Sequence, residues 1–286
     1  MDTPFIGPEA LAAGSLTRGQ LRWRYTAVHP RVYLPAHAAP SLTDRTIAAW
    51  LWTGRRGIIA GRAAAALHGA KWVGADAPIE LITEHGRPRP GVIVREERIM
   101  PDEIARIGGL RVTTALRTAL DLARFLPRDD AVAHLDALAI ATGVQACQVL
   151  ELAGRYRGLR GIRNARVALD LMDPGGQSPR ETWLRLLLID AGFRRPRTQI
   201  RVSDGFNEAF LDMGYDDVQI GLDYDGKFHA TDRLRYVHGI GRGELIERQG
   251  WIDLHVVAEH RPAFILHRVE EAFTRRGASP FSTPGL

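Results

Sequence analysis

Cysteine is almost absent: the chain of 286 residues holds one, Cys147. An internal disulfide and a Cys-rich zinc site are therefore both excluded. Lysine is nearly as scarce, with Lys71 and Lys227 the only two among 38 cationic residues. A GC-rich coding sequence produces the same bias. No apolar run approaches the roughly 18–20 residues that a membrane span needs. The opening MDTPFIGPEALAAG has neither a basic n-region nor an apolar h-region. The expectation is a cytoplasmic protein without membrane contact. Apolar residues at 45% and charged residues at 25% are ordinary for a globular chain, so collagen-like, low-complexity and wholly disordered readings fall away.

What is present is an uneven charge distribution. The net charge is +5. Residues 1–100 carry +5, 101–154 carry −2, 155–201 carry +7 and 202–286 carry −5. A basic segment thus directly precedes a carboxylate-rich one. An enzyme acting on a phosphodiester through a metal needs this pairing, one part to hold the backbone and one to hold the ion. A mixed, solvated surface has the same composition.

Residues 8–24 read as two short helices around Gly14–Ser15, and Val28–Pro35 alternates like a strand. Helix–turn–helix–strand is the order of a small winged helix, and Arg18, Arg22 and Arg24 would face a DNA groove. A helical hairpin capping the next unit fits equally. Residues 41–172 read as mixed α/β followed by helices. The loop Asp173-Pro-Gly-Gly-Gln-Ser178 is the clearest break in the chain. The expected division is a winged-helix-like segment 1–40, a mixed α/β and helical domain 41–172, and a third domain 173–286. In that third part Ser178 caps a helix begun by Pro179 and ended by Gly192. The order α-β-β-β-α-β-α then describes a mixed sheet flanked by helices, so the fold class is α/β of the α+β kind.

The densest chemistry lies there. Side chains on a strand alternate faces, so Asp223, Asp225 and Lys227 share one face. A hairpin can bring Asp212 opposite Asp223. Carboxylates converging at one end of a sheet repel unless a hard cation such as Mg²⁺ or Mn²⁺ lies between them. Glu181, on the preceding helix, would add a ligand or hold a water. The competing reading is a solvated strand face followed by an ordinary Asp-Gly turn. Among ten histidines, His229 alone sits in a chemical neighbourhood; His255, flanked by Leu254 and Val256, reads as structural.

The segments SPRETWLRLLLIDAGF, FLDMGYDDVQIGLDYDGKFH and DRLRYVHGIGRGELIERQGWIDLHVV make residues 175–275 resemble the very-short-patch-repair (Vsr) endonuclease-like branch of the restriction-endonuclease-like PD-(D/E)XK nucleases. The resemblance implies a metal-dependent DNA endonuclease. Glu181, Asp212, Asp223, Asp225, Lys227 and His229 would be its catalytic set, and Asp212, Asp223 and Glu181 its Mg²⁺ or Mn²⁺ ligands. Three departures stand out. Asp223 replaces the more common Glu, Asp225 stands where the superfamily usually has Lys, and the following helix carries Gly239, Gly241 and Gly243.

TRGQLRWRYTAVHPRVYLP, GRAAAALHG and LRVTTALRTALDLAR resemble AbiEi-type antitoxin regulators, which implies promoter binding. Two functions follow as expectations. One is an endonuclease with a DNA-binding front half, whose Arg157, Arg160 and Arg163 track the phosphate backbone. The other is a non-catalytic, antitoxin-like regulator that keeps a nuclease fold as scaffold. DNA is the expected partner, with a toxin or methyltransferase from a neighbouring gene, or a second copy of the chain, as further ones.

Overall fold

The computed structural model describes residues 2–37, 39–84, 89–156, 158–226 and 233–281, with side chains of 233–240 left aside. The chain divides into two units, Met1–Met172 and Asp173–Leu286, and the class is mixed α/β.

The first unit opens with β1 (Phe5–Ile6), α1 (Gly7–Ala12), α2 (Arg18–Arg24), β2 (Tyr25–His29) and β3 (Val32–Pro35). The Thr17 side chain accepts from Gln20 N while the Gln20 side chain accepts from Thr17 N, a capping box that starts α2. The segment expected as one strand is a hairpin, because Arg31 adopts φ 69° and turns the chain between β2 and β3. The small sheet runs β1-β3-β2. It packs through Val32 onto Ala48 and Leu51 of α3 (Leu42–Trp52).

A five-stranded sheet follows, built from β4 (Ile58–Ala60), β5 (Ile79–Ile82), β6 (Val92–Arg95), β7 (Ile104–Ile107) and β8 (Leu110–Thr113) in the order β6-β5-β4-β8-β7. The alanine-rich α4 (Gly61–Leu67) lies against it, burying Ala63 and Ala64 beside Ile59, Ile79 and Leu81. Gly61 is required where it stands. Its φ is +56°, and a Cβ there would come within 2.2 Å of the Glu80 carboxylate. The helices α5 (Ala115–Phe125), α6 (Arg128–Thr142), α7 (Ala146–Gly154) and α8 (Ile162–Leu171) complete the unit. α5 is buried nearly all round, charges included. Arg117 meets Glu103 at 2.8 Å and Asp121 at 3.1 Å, and Arg124 meets Asp121 at 3.2 Å and Glu97 at 3.1 Å. Losing one partner from such a network costs about 3–5 kcal/mol, because the other charge is left buried and uncompensated.

The second unit comprises α9 (Pro179–Asp190), β9 (Arg197–Ser203), β10 (Glu208–Tyr215), β11 (Ile220–Asp225), α10 (Arg233–Arg248), β12 (Ile252–Val257) and α11 (Pro262–Arg275). Ser178 caps α9 by accepting from Glu181 N. The sheet order is β12-β11-β10-β9. β9, β10 and β11 form an antiparallel meander, while β12 joins β11 in parallel after the α10 crossover. Met213, Tyr215, Ile220, Leu222 and Val256 pack against Leu184 and Leu188 of α9 and Ile265, Val269 and Phe273 of α11. Leu245 and Ile246 of α10 cover Ile200, Val202, Ala209 and Leu211. Among the described residues no single helix is long and apolar enough to cross a membrane.

Candidate functional site

The carboxylates of the second unit gather where β10 and β11 part. Their backbone pairing runs from Tyr215↔Ile220 to Met213↔Leu222 and goes no further. Beyond it the side chains take over. Asp212 N donates to Asp223 Oδ1 at 2.9 Å, and Tyr224 N donates to Asp212 Oδ2 at 2.7 Å. On the other side of β10, Gln199 adopts φ 50° opposite Asp212. Leu211 presses on Gly221, where a Cβ would come within 2.6 Å of it. Met213, two residues on, belongs to the core under α9 and α11.

Burial sets the acidity here. Asp212 is pushed up to about 7, first by desolvation and then by the charges of Glu181 and Asp223, against the pull of the Tyr224 hydrogen bond. Asp223, 4% exposed, is also raised by burial and by Asp253, with Arg242 opposing. Glu181 is raised by burial as well, although Ser178 and the Gln177 N–H at 2.9 Å hold its charged form. Arg242, from α10, reaches across to Asp223 Oδ2 and to the Phe210 carbonyl at 2.7 Å.

The expected residues do not all meet. Asp212 and Asp223 adjoin, and Glu181 is near enough for its charge to act on Asp212. Asp225 turns instead to the imidazole of His255, with Oδ2 2.8 Å from Nδ1. Lys227 and His229 lie outside the described residues. Among the described residues, the set of His, Cys, Asp and Glu whose donor atoms all fall within 4.8 Å of one another is Asp223, Asp253 and His255. Asp253 and His255 escape a reading based on alternation, because their proximity to Asp223 depends on the parallel register Asp223↔His255 that α10 imposes. The Asp253 and Asp225 carboxylates on either side of the ring push His255 up to about 9.

In the first unit, Arg18, Arg22 and Arg24 are exposed along α2, beside Trp23 at 78% exposure. The Arg22 guanidinium lies 5.6 Å from the Trp23 ring. Arg160 and Arg163 line an open cleft of about 720 Å³ together with Arg95, Arg124 and Phe125. The Arg95 and Arg124 guanidinium groups both lie over the Phe125 ring, 3.6 and 4.4 Å from its centroid. Arg157 lies outside the described residues.

Comparison with known proteins bears on this first unit. Residues 53–174 match the AbiEi antitoxin C-terminal domain. The AbiEi-like stretch begins at the end of α3, takes in the five-stranded sheet and α4 to α8, and stops at the boundary between the two units. Two relatives, both uncharacterized proteins of Mycobacterium tuberculosis, come from strains CDC 1551 / Oshkosh and H37Rv. Each is 27% identical over 233 residues, which is 80% of this chain and 85% of the relative. No solved structure matches the chain.

Proposed function

We propose that the chain is a DNA-binding regulator of the antitoxin type, with a toxin as its protein partner. The observation that carries this reading is the AbiEi match over 53–174. Its setting supports it. Upstream of the matched stretch, α2 offers three exposed arginines and an exposed tryptophan directly ahead of a β-hairpin, the arrangement in which a winged helix presents its recognition helix to a groove. The test is fluorescence anisotropy on duplex DNA from the region upstream of the gene. Affinity should fall steeply with salt, with a slope near −0.9 per phosphate contact. An Arg18→Glu, Arg22→Glu, Arg24→Glu triple variant should weaken it at least tenfold. Salt-independent binding, or none, would remove the reading.

A second reading, metal-dependent phosphodiester hydrolysis, is favoured by one observation: Asp212 and Asp223 lie side by side, half-buried or buried, where the sheet opens. The expected ligand set is not closed, however. Glu181, Asp212 and Asp223 do not bring their donor oxygens into the 4.8 Å compass that Asp223, Asp253 and His255 do. Plasmid nicking in Mg²⁺, abolished by EDTA and by Asp212→Asn, would establish the enzyme. Retention of DNA without nicking leaves the regulator.

A further inference from the structure

We infer that Asp223, Asp253 and His255 form a binding site for one borderline divalent cation of the Zn²⁺ class. This site rests on neither functional reading above.

Three observations converge on it. The first is the state of Asp253. Both its carboxylate oxygens are shut off from solvent, and neither meets a donor in hydrogen-bond geometry, His255 Nε2 standing 3.2 Å from Oδ2 as an ion-pair partner only. A buried carboxylate without a donor is unfavourable unless a cation supplies what is missing. The second is the orientation of His255. Its Nδ1 faces Asp225 Oδ2 at 2.8 Å, which leaves Nε2 directed at Asp253, 3.2 Å from Oδ2. A carboxylate on one ring nitrogen and a ligand position at the other is how metal-bound histidines are usually held. Bonds of about 2.1 Å at tetrahedral or octahedral angles separate two donor atoms by about 3.0–3.4 Å. The 3.2 Å gap between Nε2 and Oδ2 already has that width, and Asp223 has to close in only slightly from within its 4.8 Å.

The third observation is charge. Asp223, Asp225 and Asp253 bring three negative charges, and Arg242 returns one through its contact with Asp223. The imidazolium of His255 reduces the surplus to one; an ion that displaces the ring proton meets a surplus of two, which one divalent ion balances. An imidazole beside carboxylates suits Zn²⁺ and its first-row neighbours better than Mg²⁺, which prefers an all-oxygen shell. The backbone assembles the set without strain. Asp223 and His255 are register partners on adjacent parallel strands, and Asp253 precedes His255 by two on the same face.

The test uses the full chain, stripped with EDTA and titrated calorimetrically with Zn²⁺ alone and with Mg²⁺ alone. The expected result is one Zn²⁺ per chain, bound at least tenfold more tightly than Mg²⁺. His255→Gln and Asp253→Asn should each weaken Zn²⁺ at least tenfold. Asp225→Asn, which keeps every ligand but frees the ring, should weaken it by a smaller factor. Asp212→Asn, outside the set, should lower Zn²⁺ affinity far less than His255→Gln does, while abolishing any nicking, so that failure of the metal site and failure of the nuclease reading are told apart. Equal Zn²⁺ affinity in wild type and His255→Gln would overturn the inference. Should the variants fold poorly, a Zn²⁺-soaked wild-type crystal decides. An anomalous peak within bonding distance of Asp223, Asp253 and His255 sustains the site, and a peak only elsewhere, or none, overturns it.

Discussion

Asp212 does two opposed things. Its Oδ2 accepts the Tyr224 N–H and so closes the gap beside the last β10–β11 pair, while its charge is held in a desolvated position among other acids. The two effects separate by substitution. Asp212→Asn keeps an oxygen for Tyr224 and discards the charge. The folded pKa of about 7 exceeds the unfolded value of 3.8, so the folded state binds the extra proton between those limits and wild-type stability falls as pH rises through them. Asp212→Asn should therefore be more stable than wild type by of order 1–3 kcal/mol at pH 8, with the gain vanishing near pH 4. Asp212→Ala loses the acceptor as well, and the exposed Tyr224 N–H should take back about 1 kcal/mol of that gain. Urea unfolding of the three proteins at the two pH values checks the ordering. A gain for Asp212→Asn that does not depend on pH would show that the charge plays no part.

Among the elements, α10 is the one built against its own propensities. It runs from Arg233 to Arg248 through Gly239, Gly241 and Gly243, and each glycine inside a helix costs about 0.5–1 kcal/mol relative to alanine. A Cβ at Gly241 or Gly243 would meet nothing within 4 Å. Gly241→Ala and Gly243→Ala should each stabilise the chain by about 0.5–1 kcal/mol, read as a shift in denaturant midpoint, without disturbing Arg242 on Asp223. Elements of this kind were legible in the sequence wherever local signals agreed. Ser178, Pro179 and Gly192 bracket α9. β7 carries no such signal, because Ile104–Ile107 is short and follows the 3₁₀ turn Pro101–Glu103. The β2–β3 hairpin was missed because its turn rests on a positive φ at an arginine. The buried charges of α5 have no local signal: Arg117, Asp121 and Arg124 are paired inside only because Glu97 and Glu103 arrive from elsewhere in the chain. The candidate site divides in the same way. Asp212 and Asp223 could be paired from a hairpin, whereas Asp253 and His255 needed a register that no local pattern encodes.

Over the whole molecule, charge is partitioned between the units. Met1–Met172 holds 23 cations against 16 anions, and Asp173–Leu286 holds 15 against 17. A polyanion is therefore drawn to the first unit. Arg160 and Arg163 line its cleft and are exposed. Arg160→Glu with Arg163→Glu should weaken binding to all duplexes by a similar factor and flatten the salt dependence, whereas changes in α2 should alter preference among sequences. A double variant with unchanged salt slope would exclude the cleft from the DNA path.

The parallel pairing of β11 with β12 also fixes an order in time. β9, β10 and β11 join neighbours along the chain, but Asp223 meets His255 only after α10 has crossed between them. Contacts distant in sequence close late, since their loop entropy is lost before they return anything. During synthesis, a chain that has emerged through Asp225 has neither α10 nor α11 to cover its meander, and neither Asp253 nor His255 is yet made. A group bridging β11 and β12 thus joins a nearly finished unit. Such a group would act as a latch, slowing the rate at which the unit opens while leaving the rate at which it forms almost untouched.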